Sequence, residues 1–183
     1  MNLEEVDVFY TPQEIHEVVS RLGQEITQAY MGEKLVVVGI LKGSFVFMAD
    51  LVRQIDLSMT LDFMDVSSYG DSSVSSGEVR ILKDLDDTIE GQHVLVVEDI
   101  IDSGLTLQYL LDVLRARNPA SLKTCCMLDK PSRRVNAIKP DFYGYVVPDE
   151  FIVGYGLDYD EKYRNYPALC ILKEFVYQKD KEV

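Results

Sequence analysis

Apolar residues gather along this chain in two kinds of run. Leu35 to Ile40 and Val94 to Val97 are unbroken, mostly β-branched stretches, the pattern of strands buried on both faces. Met59 to Val66, Glu78 to Lys83, Leu122 to Leu128, Phe142 to Val147 and Leu169 to Val176 read as further strands. Helical spacing follows a capping box at Thr11-Pro12-Gln13-Glu14, where Ile15, Val18, Val19, Leu22 and Ile26 predict a helix to about Tyr30. Phe45, Met48, Leu51 and Val52 predict a second helix. Leu105, Leu107, Leu110, Leu111 and Leu114 predict a third, from about Ser103 to Arg117, ended by Asn118-Pro119. Strands alternating with helices imply an α/β fold with a central, mainly parallel sheet flanked by helices.

Composition narrows the class. At 183 residues the chain fits a single domain with a substantial core. A net charge of −13 argues against a nucleic-acid surface and an anionic membrane, so neither is expected as a partner. An anionic substrate would need local help from Mg²⁺ or from well-placed Lys and Arg. Three cysteines, two adjacent at Cys125-Cys126, make no disulfide framework and fit packing positions in a reducing compartment. The acidic start Met1-Asn2-Leu3-Glu4-Glu5 lacks an apolar signal core, and no run approaches a membrane span. A cytoplasmic location is expected. His16 lies off the first helix's apolar stripe, and Arg133-Arg134 reads as a solvated surface pair.

The candidate chemistry centres on Val94 to Leu107. Four apolar residues run into Glu98 and Asp99, then Ile100-Ile101-Asp102 and Ser103-Gly104-Leu105-Thr106. The carboxylates therefore sit at the carboxyl end of a central strand, where open α/β sheets bind ligands. Ser103, Gly104 and Thr106 offer backbone N–H groups and two hydroxyls at a helix entrance, an anion cradle. Gly104 allows close backbone approach to a phosphate. Glu98 and Asp99 suit vicinal sugar hydroxyls or Mg²⁺. The plainer alternative makes Ser103 an N-cap and the acids the lining of a solvated loop. Leu41-Lys42-Gly43-Ser44 is a second Gly-bearing strand-to-helix turn, which by itself fits a diphosphate site and an ordinary βα turn equally well.

The stretch Val96 to Thr106 resembles the phosphoribosyl-pyrophosphate motif of type I phosphoribosyltransferases, and its form is similar to that of the hypoxanthine (guanine) members. The resemblance runs from about Leu3 to Val176. It implies that Lys42 and Gly43 contact pyrophosphate and that the Leu41-Lys42 peptide is cis. It makes Ser67-Ser68-Tyr69-Gly70 the start of a flexible catalytic loop over 67–77, a low-complexity segment whose small polar residues suit a lid. It implies that Lys130 donates to the exocyclic oxygen of a 6-oxopurine, that Phe151 stacks on the base, and that the Ile152 backbone reads its edge. Asp158 falls near the base and the metal, giving Glu98, Asp99 and Asp158 as candidate metal residues, and Arg164 matches the arginine that binds pyrophosphate. Asp102 takes the place of the general base, and Ser103 to Thr106, Leu105 included, that of the phosphate loop. The implied architecture adds a mobile flap and a small hood built from the N-terminal segment and about 148–176.

The expected activity is Mg²⁺-dependent transfer of a 5-phosphoribosyl group from phosphoribosyl pyrophosphate to hypoxanthine, and to guanine, giving IMP or GMP and pyrophosphate. Small-molecule substrates and a homodimer or homotetramer are the expected partners. Two rivals stand beside it. One is an enzyme of this fold acting on xanthine or a pyrimidine. The other is a nucleotide-sensing regulator of this fold, which should carry a basic face that 18 basic against 31 acidic residues do not favour.

Overall fold

The structure is a computed structural model that describes residues 4–68 and 79–178. The chain begins with β1 (Val6–Tyr10) and α1 (Pro12–Ala29), then β2 (Leu35–Leu41), α2 (Phe45–Val52), β3 (Met59–Ser68) and β4 (Val79–Lys83). It continues with β5 (His93–Ile101), α3 (Leu105–Arg115), β6 (Ser121–Asp129), a 3₁₀ turn at Pro131–Arg133 and β7 (Phe142–Val146). β8 (Ile152–Val153), β9 (Leu169–Leu172) and α4 (Glu174–Gln178) complete it. The predicted capping box forms, with Thr11 Oγ1 accepting from the Glu14 N–H and the Glu14 carboxylate accepting from the Thr11 N–H.

Six strands form the central sheet in the order β4-β3-β2-β5-β6-β7. All neighbours are parallel except β3 and β4, which pair antiparallel. Period-two alternation sorts the strand residues onto two cores. Val37, Leu95, Val97, Cys125 and Met127 face Leu22, Ile26, Phe47 and Leu51 of α1 and α2. Val36, Val38, Val94, Val96 and Cys126 face Leu107, Leu110, Leu111 and Leu114 of α3. Helices on both faces are why β2, and β5 from Val94 to Val97, are apolar throughout. A separate three-stranded sheet, β1-β9-β8, joins the N-terminal strand to the last two and has its own core of Val6, Val153, Ala168, Cys170 and Leu172. Among the described residues no helix is long and apolar enough to cross a membrane.

Connections leave the middle of the large sheet in opposite directions. From β2 the chain passes through α2 to β3 on one side, and from β5 through α3 to β6 on the other. Such a switch opens a crevice at the carboxyl ends of the two diverging strands. The β2–β5 ladder stops at Gly39 and Val97, so Glu98 and Asp99 lie just past the last pair, at the mouth of that crevice.

Three elements differ from expectation. β5 runs on to Ile101, because Glu98, Ile100 and Ile101 still pair with β6, and the acids are strand residues. α3 starts at Leu105, since Gly104 takes a left-handed φ of 81° that no helix can include. The last strand ends at Leu172, where the β1 ladder runs out at Val6, and residues through Val176 turn into α4. The loop expected over 67–77 has only Ser67 and Ser68 inside the described residues, at the end of β3; Tyr69, Gly70 and the rest lie outside them.

Candidate active site

A cavity of about 580 Å³ occupies the switch-point crevice. Lys42 and Gly43 from the β2–α2 turn, Glu98 and Asp99 from β5, Thr106 from α3, and Asp158 and Arg164 from the loop before β9 all line it, with Ser67 at its rim. Eight of the sequence-predicted site residues thus share one wall-to-wall space. The Leu41-Lys42 peptide is cis. Gly43 is required by closeness, since a Cβ there would fall 1.5 Å from Asp99 Oδ2.

Burial dominates the electrostatics of the acids. Asp99 Oδ1 accepts the Ile100 N–H at 2.6 Å, yet burial pushes its carboxyl up to about 6. Glu98 is pushed well above the usual carboxylate range, by burial first and then by Asp99 beside it. Two adjacent, poorly solvated carboxylates are poised to accept hydroxyl protons or to face a cation. The three expected metal residues do not converge, however. Among the described residues no group of three or more His, Cys, Asp or Glu side chains could hold a metal ion. Asp158 is drawn away instead, its Oδ1 2.9 Å from Arg164 Nη2 and its Oδ2 accepting the Glu161 N–H at 2.9 Å. A donor set of this kind suits a magnesium ion held chiefly by substrate oxygens and water, the usual habit of Mg²⁺.

The turn expected to cradle an anion is built from below. Gly104 is left-handed, and a Cβ there would meet Asn136 Oδ1 at 2.6 Å and Arg134 Cδ at 2.8 Å. Leu105 N–H donates to Ser103 Oγ at 3.3 Å, Asn136 Nδ2 donates to the Gly104 carbonyl at 2.9 Å, and Val135 N–H donates to the Ser103 carbonyl at 3.1 Å. Arg134 is the post under this turn, and its reading as a solvated residue is wrong. Its side chain is 8% exposed and pairs with the Asp129 carboxylate. It also donates to the carbonyls of Asp102 at 3.0 Å, Ile101 at 3.1 Å and Ile138 at 2.5 Å. A guanidinium's five donors explain why an arginine stands there. Arg133 does stay exposed, with Nε 2.5 Å from Asp149 Oδ1. Asp102 Oδ1, by contrast, is buried and has no hydrogen-bond partner among the described residues.

The residues expected on the base side sit one strand further along. Lys130, at the end of β6, is 6% exposed and donates to the Glu150 carbonyl at 2.8 Å. An ammonium has three donors, so others remain. Phe151 is part-exposed and lies between Tyr177 of α4, stacked at 5.4 Å, and Tyr159, edge-on at 5.3 Å. Leu172 N–H donates to the Phe151 carbonyl at 2.8 Å, which makes Phe151 and Leu172 a hydrogen-bonded pair. In an antiparallel ladder the next pair is then not bonded, so the N–H and C=O of Ile152 point away from β9 to the open edge. Sequence reasoning missed Arg134, Asn136, Tyr177 and Glu161. The last lies with Oε2 3.1 Å from Lys42 Nζ, a contact that holds the Glu161 carboxyl below the usual range.

Comparison with known proteins agrees with this geometry. The family model described as phosphoribosyl transferase domain matches residues 6–160. A hypoxanthine-guanine phosphoribosyltransferase of Bacillus subtilis is 53% identical over 171 residues, covering 93% of this chain and 95% of that protein. A hypoxanthine phosphoribosyltransferase of Haemophilus influenzae is 48% identical, over 95% of this chain and all of that one. The crystal structure of a hypoxanthine phosphoribosyltransferase from Staphylococcus aureus superposes with a TM-score of 0.93 at 46% identity, covering 97% of this chain and 98% of that chain. The chain belongs to the phosphoribosyl transferase family, among its hypoxanthine-guanine phosphoribosyltransferases.

Proposed function

We propose that this chain transfers the 5-phosphoribosyl group of phosphoribosyl pyrophosphate to hypoxanthine and guanine, releasing pyrophosphate. The observation that carries the reading is the gathering of Lys42, Gly43, Glu98, Asp99, Thr106 and Arg164 around one crevice, with Lys130 and Phe151 beyond Asp102. The 5-phosphate goes to the N–H groups and hydroxyls of Ser103, Gly104, Leu105 and Thr106, at the start of α3. The ribose hydroxyls go to Glu98 and Asp99, whose charge also favours oxocarbenium character at the anomeric carbon. The Lys42 ammonium, the Gly43 N–H and the Arg164 guanidinium receive the charge that builds on the departing pyrophosphate. Arg164 Nε is buried without a partner among the described residues, a donor suited to that arrival.

The purine stacks on Phe151, meets the outward backbone of Ile152, and takes a hydrogen bond from Lys130 at its 6-oxygen. Its ring nitrogen attacks the anomeric carbon, and the ring proton passes to Oδ1 of Asp102. A magnesium ion, bound near Glu98, Asp99 and Asp158, would supply neutralisation of the diphosphate. The β1-β9-β8 sheet forms the hood, a single domain with the rest. We place the protein in the cytoplasm, which suits its three buried cysteines, and assign it a homodimer or homotetramer, to be tested by sedimentation at several concentrations.

Initial rates with hypoxanthine, guanine, xanthine, adenine and uracil test the assignment. Hypoxanthine and guanine should be the best substrates. A preference for xanthine or uracil would replace the reading with another base on the same fold, and tight filter binding of nucleic acid without turnover would replace it with a regulator.

A further inference from the structure

The loop from Asp158 to Arg164 is folded against backbone preference. Asp160, Glu161 and Tyr163 take φ values of 51°, 58° and 75°, left-handed positions that non-glycine residues rarely occupy. Tyr159 and Lys162 exchange backbone hydrogen bonds of 3.2 and 3.0 Å across this tight turn, and the Glu161 N–H is tied to Asp158. The result is that the Glu161 side chain reaches back over the crevice. Its Oε2 lies 3.1 Å from Lys42 Nζ and its Oε1 3.5 Å from Arg164 Nη2. One carboxylate therefore bridges two cations that come from different loops of the site, the β2–α2 turn and the loop before β9.

Those are the two side-chain cations assigned above to pyrophosphate. We infer that Glu161 is an internal stand-in for pyrophosphate, holding Lys42 and Arg164 in place when no diphosphate is bound and lowering the affinity for the product. The inference rests on that assignment of Lys42 and Arg164. Glu161 and Lys42 are 66% and 61% exposed, so their pair is made largely in water and is weak enough to exchange. A diphosphate offers several charges and many acceptors to the same donors and displaces the single carboxylate. Once displaced, Glu161 stays on its short, constrained turn beside the bound anion, and like-charge repulsion with its return to Lys42 favours release. Glu161 is thus a positioning residue, acting on the reaction through Lys42 and Arg164.

Equilibrium titration of the full chain with inorganic pyrophosphate and Mg²⁺ tests this. Glu161→Gln keeps the size of the side chain and the demand on the backbone while removing its charge. Pyrophosphate should bind the variant about three- to tenfold tighter, the size expected of an exposed pair with Lys42 and a longer contact to the less exposed Arg164. Product inhibition by pyrophosphate should strengthen by the same factor, and KM for hypoxanthine should not move. The ratio between the two forms should shrink at high salt, where exposed charges are screened. In a double-mutant cycle with Lys42→Met, most of the gain should vanish, since Lys42 is the cation Glu161 occupies. Equal or weaker pyrophosphate binding by Glu161→Gln overturns the role of Glu161. If neither form binds pyrophosphate, the assignment of Lys42 and Arg164 falls and takes the inference with it.

Discussion

The two ends of the crevice are built on opposite principles. The turn from Ser103 to Thr106 rests on buried contacts: Arg134 beneath it, Asn136 against it, and a left-handed Gly104 that leaves no room for a Cβ. The other end holds Lys42 and Arg164 through ion pairs with Asp158 and Glu161, of which the Lys42 pair is mostly in water. On the proposed function, the rigid first end carries a group that stays on the substrate throughout, the 5-phosphate. The second, self-neutralised and exchangeable, then serves the group that must leave. Rigidity is placed where binding energy orients the sugar, and exchange where tight binding would slow turnover.

Chemistry between the two ends gives the largest expected effect. Asp102→Asn keeps the shape of the side chain and the backbone carbonyl that Arg134 grips, but removes the proton acceptor. Its kcat should fall by about 10²–10⁴-fold, with thermal stability and phosphoribosyl pyrophosphate binding near wild type. A variant within about threefold of wild type is too active for a general base to have been removed. Arg134→Met should act in the reverse manner, because it leaves the Asp129 carboxylate and three carbonyls without their donor. Breaking such a buried pair costs about 3–5 kcal/mol, or roughly 6–20 °C of Tm in a domain of this size. Phosphoribosyl pyrophosphate binding should weaken with it, as the cradle loses its post. Unchanged melting would mean that Asn136 and Gly104 hold the turn by themselves.

Lys130→Met probes the base side at intermediate size. Hydrogen bonds to charged groups are worth about 1.5–3 kcal/mol, so kcat/KM for hypoxanthine should fall about ten- to two-hundredfold. Adenine, whose 6-amino group opposes a donor, should lose less. Proportional loss with both bases would make Lys130 a support for the Glu150 carbonyl alone.

The acids between the two ends give a smaller, pH-dependent effect. Burial pushes Asp99 up to about 6, above its value in the unfolded chain, so the folded state disfavours the charged form. The resulting destabilisation is absent well below pH 4, grows through about pH 4–6 and is complete above. Asp99→Asn should therefore raise the Tm of the metal-free protein at pH 7–8 and lose that advantage as the pH falls toward 5. A gain independent of pH would assign it to packing against Gly43.

This contrast marks the limit of what the chain spells out. Val94 to Val97, Leu35 to Ile40 and the capping box at Thr11 are local, periodic signals, and the strands, helices and switch-point crevice follow from them. The acids and the Ser-Gly-Leu-Thr turn are legible because polar groups interrupt an apolar run. Arg134 was not, because its work is to bond carbonyls of residues 32 and 33 positions earlier, and a carbonyl leaves no mark on sequence. Glu161 was not either, since its partner Lys42 is 119 residues away. The end of β9 depended on where β1 starts, which again is information held by a distant strand.

Lys42→Met is the last and smallest perturbation of the fold, and it sets the two ends directly against each other. Both Lys42 and Arg134 are cations paired with a carboxylate, yet one is 61% exposed and the other 8%. An exposed pair contributes about 0–1 kcal/mol, because water screens it and holding two long side chains costs entropy. Stability should therefore change by less than about 1 kcal/mol, a Tm shift of at most roughly 2–4 °C, against the much larger fall for Arg134→Met. Turnover should still drop, since the proposed function gives this ammonium the charge of the leaving pyrophosphate. Thermal melts and initial rates on the same preparations measure both. If Lys42→Met melts as early as Arg134→Met, the exchangeable end is structural after all, and the division of labour between the two ends fails.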